Sequence, residues 1–366
     1  MIKYIFIFLL IINFANARDY YINGALGSDT TDSFDASTPE KAFKTINKAL
    51  DLVGQGDVII IEGLNKEDRI SYKENIIVSA DKAFFTIRGV NFPIITSNND
   101  NENVGVLVLN NDIRIEGIEF KGFKDGKINK IDKNGGAGII IKNGNRDAII
   151  INNKFVDCNY GIIANENQSI RINGNFFSKI EKVSSKAFDG GIGILLMSEG
   201  KYIQDNQIGV ESGNTFTEVD NYGILIGNES KLVLADYTKI MNNTFQNMKG
   251  TGLGIFYVEG IFNVVNNTFD KCNTSLELRG ESIDAIISDN TFKGASGDYE
   301  LISDENYPGE LLYSIWKGNN NSFEVKLKAL SEESGESIKS INGKRFISSR
   351  ENVIKSNSNN QEKILE

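Results

Sequence analysis

Apolar and polar residues alternate over short stretches along most of the chain, and the alternation restarts every two to four dozen residues. The restarts carry a mark: an Asn-rich triplet ending in an aromatic. It reads "NNKF" to Phe155, "NGNF" to Phe176, "GNTF" to Phe216, "NNTF" to Phe245 and Phe269, "DNTF" to Phe292 and "NNSF" to Phe323, at intervals of 21, 40, 29, 24, 23 and 31 residues. After most copies a polar turn leads to a Gly and an apolar run, at Gly138, Gly161, Gly193, Gly223 and Gly254. A self-similar period of this size indicates a solenoid. Units rich in β-branched residues and bounded by Gly and Asn read as strands. Each unit therefore predicts one coil of a single-stranded parallel β-helix, an all-β solenoid with alternate residues facing inward. Phe stacks on Phe at about 4.8 Å per coil. Asn suits the left-handed turn, and its amide can bond to the Asn above and below. The longer intervals predict loop excursions between Phe176 and Gly193 and between Gly200 and Phe216.

A different period runs from Thr38 to Gly54. Thr38 is placed to N-cap, Pro39 suits the first helical position and Gly54 suits the end. Phe43, Ile46, Ala49, Leu50 and Val53 share one face of the predicted helix. Such a helix covers the open end of the first coil, whose strand begins at Asp57, and shields its unpaired edges. The chain thus divides into an N-terminal strand and capping α-helix over 18–56, a β-helix over 57–330 and a polar tail over 331–366. The tail is poor in large apolar residues and is expected to be mostly disordered, with at most a short capping piece. Residues 1–17 have one charge at Lys3, an apolar run from Tyr4 to Phe14 and Ala15-Asn16-Ala17, the pattern of a cleaved secretory signal peptide. That run is too short to span a bilayer, so a secreted protein without a membrane span is expected.

Composition narrows the chemistry. The formal net charge is −10, which argues against a nucleic-acid partner. The sequence has no His, which removes Ser-His-Asp and Cys-His catalysis and most zinc sites. Cys158 and Cys272 each follow a marker Phe by three residues, four coils apart. About 19 Å of rise separates them, beyond the reach of a disulfide, so two free, inward-facing thiols are expected in a monomer.

Candidate chemistry gathers before the Gly of each apolar run. Asp157, Asp189 and Asp220 lie three or four positions before Gly161, Gly193 and Gly223. Stacked in one column about 5 Å apart they would repel unless a cation intervenes, and calcium suits such oxygen ligands. Tyr160 and Tyr222, directly before their Gly, could stack on sugar rings. The plainer reading makes the Asp residues turn-closers on a solvated edge and the Tyr residues their cover. Lys121, Lys124, Lys127, Lys130 and Lys133 recur every third residue in one excursion, a lip that could attract an anionic polysaccharide or simply be a solvated loop.

The opening block, "YYINGALGSDT" followed by "STPEKAFKTINKALDLVGQGDVIIIEG", resembles the first segment of secreted right-handed β-helix proteins of the pectate-lyase-like superfamily. The resemblance implies a right-handed helix. It also implies a possible chemistry: acidic side chains hold calcium against a uronate carboxylate, and a Lys or Arg takes the C5 proton. By analogy alone, Lys186 and Lys249 are the candidate bases. Two functions stay open. One is a calcium-assisted lyase of an acidic polysaccharide. The other is a non-catalytic surface scaffold or adhesin that binds glycan.

Overall fold

A computed structural model describes residues 17–293 apart from short gaps at 98–102, 110–111, 125, 143–145, 199–201, 229–231 and 280–282, with separate strand backbones beyond them. The predicted leader, apart from Ala17, lies outside the described residues. Of the predicted tail, two antiparallel strand pairs are described, Ser337–Ile341 with Lys344–Ser348 and Ser356–Ser358 with Gln361–Lys363. Among the described residues no helix is long and apolar enough to cross a membrane.

The chain winds as a right-handed parallel β-helix whose coils feed three long parallel sheets. In one coil the first sheet takes Ile149–Ile151, the second Lys154–Cys158 and the third Tyr160–Asn165. The marker Phe residues run down the second sheet in direct register, Phe120 to Phe155, Phe177, Phe216, Phe245, Phe269, Phe292 and Phe323. From Phe120 to Phe269 the rings stack with centroids 4.6–5.2 Å apart and planes within 7–10°. Offset stacks of this kind add to the burial of large apolar area.

The stack corrects one marker. Phe176 is not in it; Phe177 is. Phe176 pairs with Lys154 and Thr215, the outward position between the Asn and the core Phe. The two adjacent Phe residues make the sequence ambiguous by one place, and a one-residue slip changes the face.

The buried Asn settles it. Asn153, Asn175, Asn214, Asn243, Asn267 and Asn290 each stand two residues before the stacked Phe and are at most 1% exposed. From Asn153 to Asn267 the backbone N–H donates to Oδ1 of the next at 2.9–3.1 Å, and the side-chain amide donates to the same oxygen at 2.9–3.2 Å. The same amide also reaches a carbonyl of the preceding coil, as Asn214 does with Ile172 at 2.9 Å. The doubled Asn of "NNTF" is now explained. Asn242 and Asn266 take left-handed φ values of 60° and 55°, while Asn243 and Asn267 form the buried ladder. Thr faces partly outward, and Phe fills the core.

The recurring Gly has an equally local cause. A Cβ at Gly138, Gly161, Gly193, Gly223 or Gly252 would sit 2.5–2.7 Å from a ring carbon of the Phe in the second sheet. The fifth member is Gly252 and not Gly254, because Leu253 pairs with Ile224 and Gly254 with the outward-facing Leu225. Gly193→Ala is expected to displace the Phe216 ring and cost about 2 kcal/mol in urea-induced unfolding, the size typical of an overpacked core.

The helix is shorter than predicted. Thr38 to Lys41 form a 3₁₀ turn, and the α-helix spans only Ile46–Leu52. Its N-cap is Thr45, whose side chain accepts from Lys48 N. The start is fixed from outside: Asp29 accepts from Lys44 N, Thr45 N and Thr45 Oγ1, and Glu74 accepts from Ile46 N and Asn47 N. The predicted apolar face holds, with Phe43, Ile46, Ala49, Leu50 and Val53 all buried. Cys158 and Cys272 form no disulfide and are buried, and burial pushes both thiols up to about 12.

The third sheet is apolar on both faces, which is why its strands read as continuous Ile and Leu runs. Ile139, Ile162, Ile194, Ile224 and Leu253 join the interior. Leu107, Ile140, Ile163, Leu195 and Leu225 point outward in one register column and are at most 1% exposed. They belong to a second apolar cluster with Ile128, Tyr160, Phe188, Tyr222 and Phe256. A short fourth sheet pairs Tyr202–Gln204 with Val233–Asp236, and the latter with the start of Val258–Val265.

Candidate functional site

The candidate residues lie where the second sheet turns into the third. Backbone bonds align successive coils there: Asn159 N donates to Phe123 O, Glu181 N to Cys158 O, Asp220 N to Ile180 O, Lys249 N to Val219 O and Asn273 N to Met248 O, at 2.9–3.2 Å. An inward row of Phe123, Cys158, Ile180, Val219, Met248 and Cys272 is therefore followed by a surface row of Lys124, Glu181, Asp220, Lys249 and Asn273, in which Asn159 alone is buried. Two places before the surface row runs a left-handed one, Asp157, Lys179, Glu218, Asn247 and Lys271, with φ between 51° and 61°.

The predicted aspartate column does not form as counted. Asp157 falls in the left-handed row, Asp220 in the surface row and Asp189 in the 182–190 excursion. Counting back from the Gly failed because that excursion lies between the surface row and Gly193, and because the offsets of four and three mixed two rows. Asp189 Oδ2 instead accepts from Ser184 Oγ at 2.8 Å. Among the described residues no three His, Cys, Asp or Glu side chains converge as a metal site would require.

The surface row carries charges of both signs, and its lysines meet carboxylates. Lys124 Nζ contacts Asp157 and lies 3.0 Å from Glu181. Lys249 Nζ lies 2.8 Å from Asp220. The hydrogen bond to Asp220 and the charge of that carboxylate hold the Lys249 ammonium above its ordinary range. Burial would lower Lys124, but Asp157 and Glu181 together outweigh it and raise the group. Both shifts run opposite to that of a lysine tuned as a base. Lys186 is exposed in the 182–190 excursion, where its N–H donates to Ser184 Oγ and its carbonyl accepts from Asn221 Nδ2, each at 3.2 Å.

Tyr160 and Tyr222 do not offer open rings. They share an outward column of the third sheet with Ile192, as their position before Gly implied. The excursion then folds over them. Tyr160 is 0% exposed and its hydroxyl donates to the Phe188 carbonyl at 3.1 Å. Tyr222 is 5% exposed and its hydroxyl donates to Glu277 Oε2 at 2.9 Å. The lysine-rich excursion meets the same Phe188, with Lys133 Nζ 3.4 Å from its carbonyl and 5.9 Å from its ring centroid. That excursion is a hairpin of Lys127–Ile128 with Lys133–Asn134, anchored by buried Ile128. Lys127 pairs with Asp132 at 2.8 Å. Lys130 sits in the short turn Asn129–Ile131, and its side chain lies outside the described residues.

The sequence reading passed over the fourth sheet, where Tyr202, Leu234 and Tyr237 are exposed. The alternation of Leu232 to Asp236 was the available signal, masked by the lack of an Asn-Phe marker nearby.

The fold is that of a single-stranded parallel β-helix protein. No protein-family model matches the sequence, and no curated protein matches it significantly. Among solved structures the chain is similar to a rhamnogalacturonan lyase, at 12% identity over 80% of this chain and 86% of that one, with a TM-score of 0.51. It is also similar to a GH136 lacto-N-biosidase from Eubacterium ramulus, at 14% identity over 85% of this chain and 68% of that one, with a TM-score of 0.45. A third likeness is to PfbA, a surface adhesin of Streptococcus pneumoniae, at 14% identity over 88% of this chain and 93% of that one, with a TM-score of 0.34. At 12% identity the likeness to the rhamnogalacturonan lyase shows the fold alone.

Proposed function

We propose that the chain is an exported β-helix scaffold that binds glycan without cleaving it. A carbohydrate partner is the reading supported by the fold shared with a rhamnogalacturonan lyase. One observation favours the scaffold over the lyase: the lysine best placed as a base, Lys249, is ion-paired with Asp220, the carboxylate that would have helped to hold calcium. A lyase of the expected type needs the reverse, carboxylates free for a cation and a nearby lysine with a lowered pKa. The buried Tyr160 and Tyr222 remove the sugar-stacking surface from the same corner.

Incubation with pectate, rhamnogalacturonan, alginate and glycosaminoglycans, each with and without calcium, tests this. Binding by affinity electrophoresis is expected with at least one glycan, without the ultraviolet absorbance of an unsaturated product. Unsaturated product that disappears in Lys249→Ala would establish the lyase instead.

A further inference from the structure

The backbone at Arg18 is held from three sides just before the first strand begins. Its carbonyl accepts from Val58 N at 2.8 Å. Its guanidinium carbon lies 4.9 Å from the ring centroid of Phe34, which gives that exposed aromatic a partner. Its backbone N–H donates to Asp57 Oδ1 at 2.8 Å. The strand that follows, Asp19–Ile22, is the edge of the first sheet, pairs in register with Val58–Glu62 and buries Tyr20 and Ile22.

Asp57 is an unusual acceptor for a backbone amide. It is 7% exposed, and its other oxygen accepts from Gly54 N at 2.8 Å. Both donors are neutral. Among the described residues no side-chain cation pairs with it. The neighbouring cations are committed elsewhere: the Arg18 guanidinium to Phe34, and Lys82 Nζ to the carbonyls of Asp51 and Val53 at 3.1 and 3.0 Å. A carboxylate drawn out of water onto neutral donors is costly, and a cationic donor in the same place offsets that cost. The group that can bring a positive charge to this spot is the Arg18 nitrogen itself.

The sequence supplies the route. Ala15 and Ala17 stand three places and one place before the Ala17–Arg18 bond, behind the apolar run, as an export leader requires. Ala17 and Arg18 are both exposed. We propose that hydrolysis of the Ala17–Arg18 bond creates the amino terminus of the exported protein, and that Asp57 receives the new α-ammonium of Arg18 as an ion pair that fastens the first strand. The co-reactants are water and an endopeptidase that cuts after small residues. The water oxygen joins the Ala17 carbonyl carbon as the C–N bond breaks, and both water protons end on the Arg18 nitrogen, leaving a carboxylate and an ammonium. One of the three N–H groups then occupies the bond to Asp57 already described. The strand that closes the end of the β-helix is thereby fastened by processing, and the uncut chain lacks the pair.

Export of the full chain from a secreting host, followed by intact mass and N-terminal sequencing, is the first test. A terminus at Arg18 is expected, and a terminus at any other residue overturns the proposal. The second test compares this protein with a form two residues longer, beginning at Asn16, in which the Arg18 nitrogen stays a neutral amide. The Arg18 form is expected to melt about 3 °C higher. In Asp57→Asn the two forms should melt together. A third readout needs no substitution: at neutral pH an amine-acylating reagent should label the α-amine of the Arg18 form about tenfold more slowly than that of the longer form, because an ion-paired ammonium is a poor nucleophile. Equal labelling rates overturn the ion pair, as does a melting difference that persists undiminished in Asp57→Asn.

Discussion

Phe216→Ala lowers the unfolding free energy by about 4 kcal/mol, within the range for truncating a buried Phe. The ring is 0% exposed and stacks on Phe177 at 4.6 Å and on Phe245 at 4.9 Å. Its removal leaves a gap in the middle of a continuous aromatic column, and both neighbouring rings lose a partner. The backbone of Gly193 lies against the same ring, so this wall can collapse only if the strand moves. Urea-induced unfolding monitored by circular dichroism measures the loss. Phe177→Ala, in the next coil of the stack, is expected to cost as much, and Phe176→Ala, one residue from it in the outward position, far less. Equal effects at 176 and 177 would show that the register is not as described.

The second large effect is at Asn214. Asn214→Ala is expected to cost about 3 kcal/mol, chiefly by leaving the buried N–H of Asn175 without its acceptor. The carbonyl of Ile172 and Oδ1 of Asn243 each lose one donor as well. Asn214→Asp discriminates between shape and hydrogen bonding. The carboxylate keeps the acceptor for Asn175 but cannot donate to Asn243, and its charge is buried, so its folded pKa rises above the unfolded value. Stability of that variant is therefore greatest below the ordinary carboxylate range and is lost as pH rises through the raised value. A urea midpoint measured across pH shows the difference from wild type directly.

The column of Asn and Phe was legible in the sequence because each coil repeats the same local demand. One Asn takes the left-handed corner, the next fills the buried ladder, and two places on a ring meets the ring below. Phe176 and Gly254 were misassigned by one and two places because "FF" and "GLG" each offer two chemically equivalent choices. Only the paired coil selects between them. The corner chemistry was less legible. Asp157, Asp189 and Asp220 look equivalent when counted from the next Gly, yet an excursion of variable length intervenes. Burial of Tyr160 and Tyr222 depends on where that excursion lands, and nothing in the local pattern encodes it. The exposed Tyr202 and Tyr237 were hidden for the opposite reason: they sit in a sheet that joins only a few coils and has no repeating marker.

The central claim is that lysines, and not a cation, neutralise the carboxylates along the second-to-third-sheet corner. Calorimetric titration of calcium into the full chain tests it most directly. The account predicts no saturable heat and no change when Asp220 is replaced by Asn. A saturable isotherm lost in Asp220→Asn would contradict it, because calcium would then have to displace Lys249 from its partner.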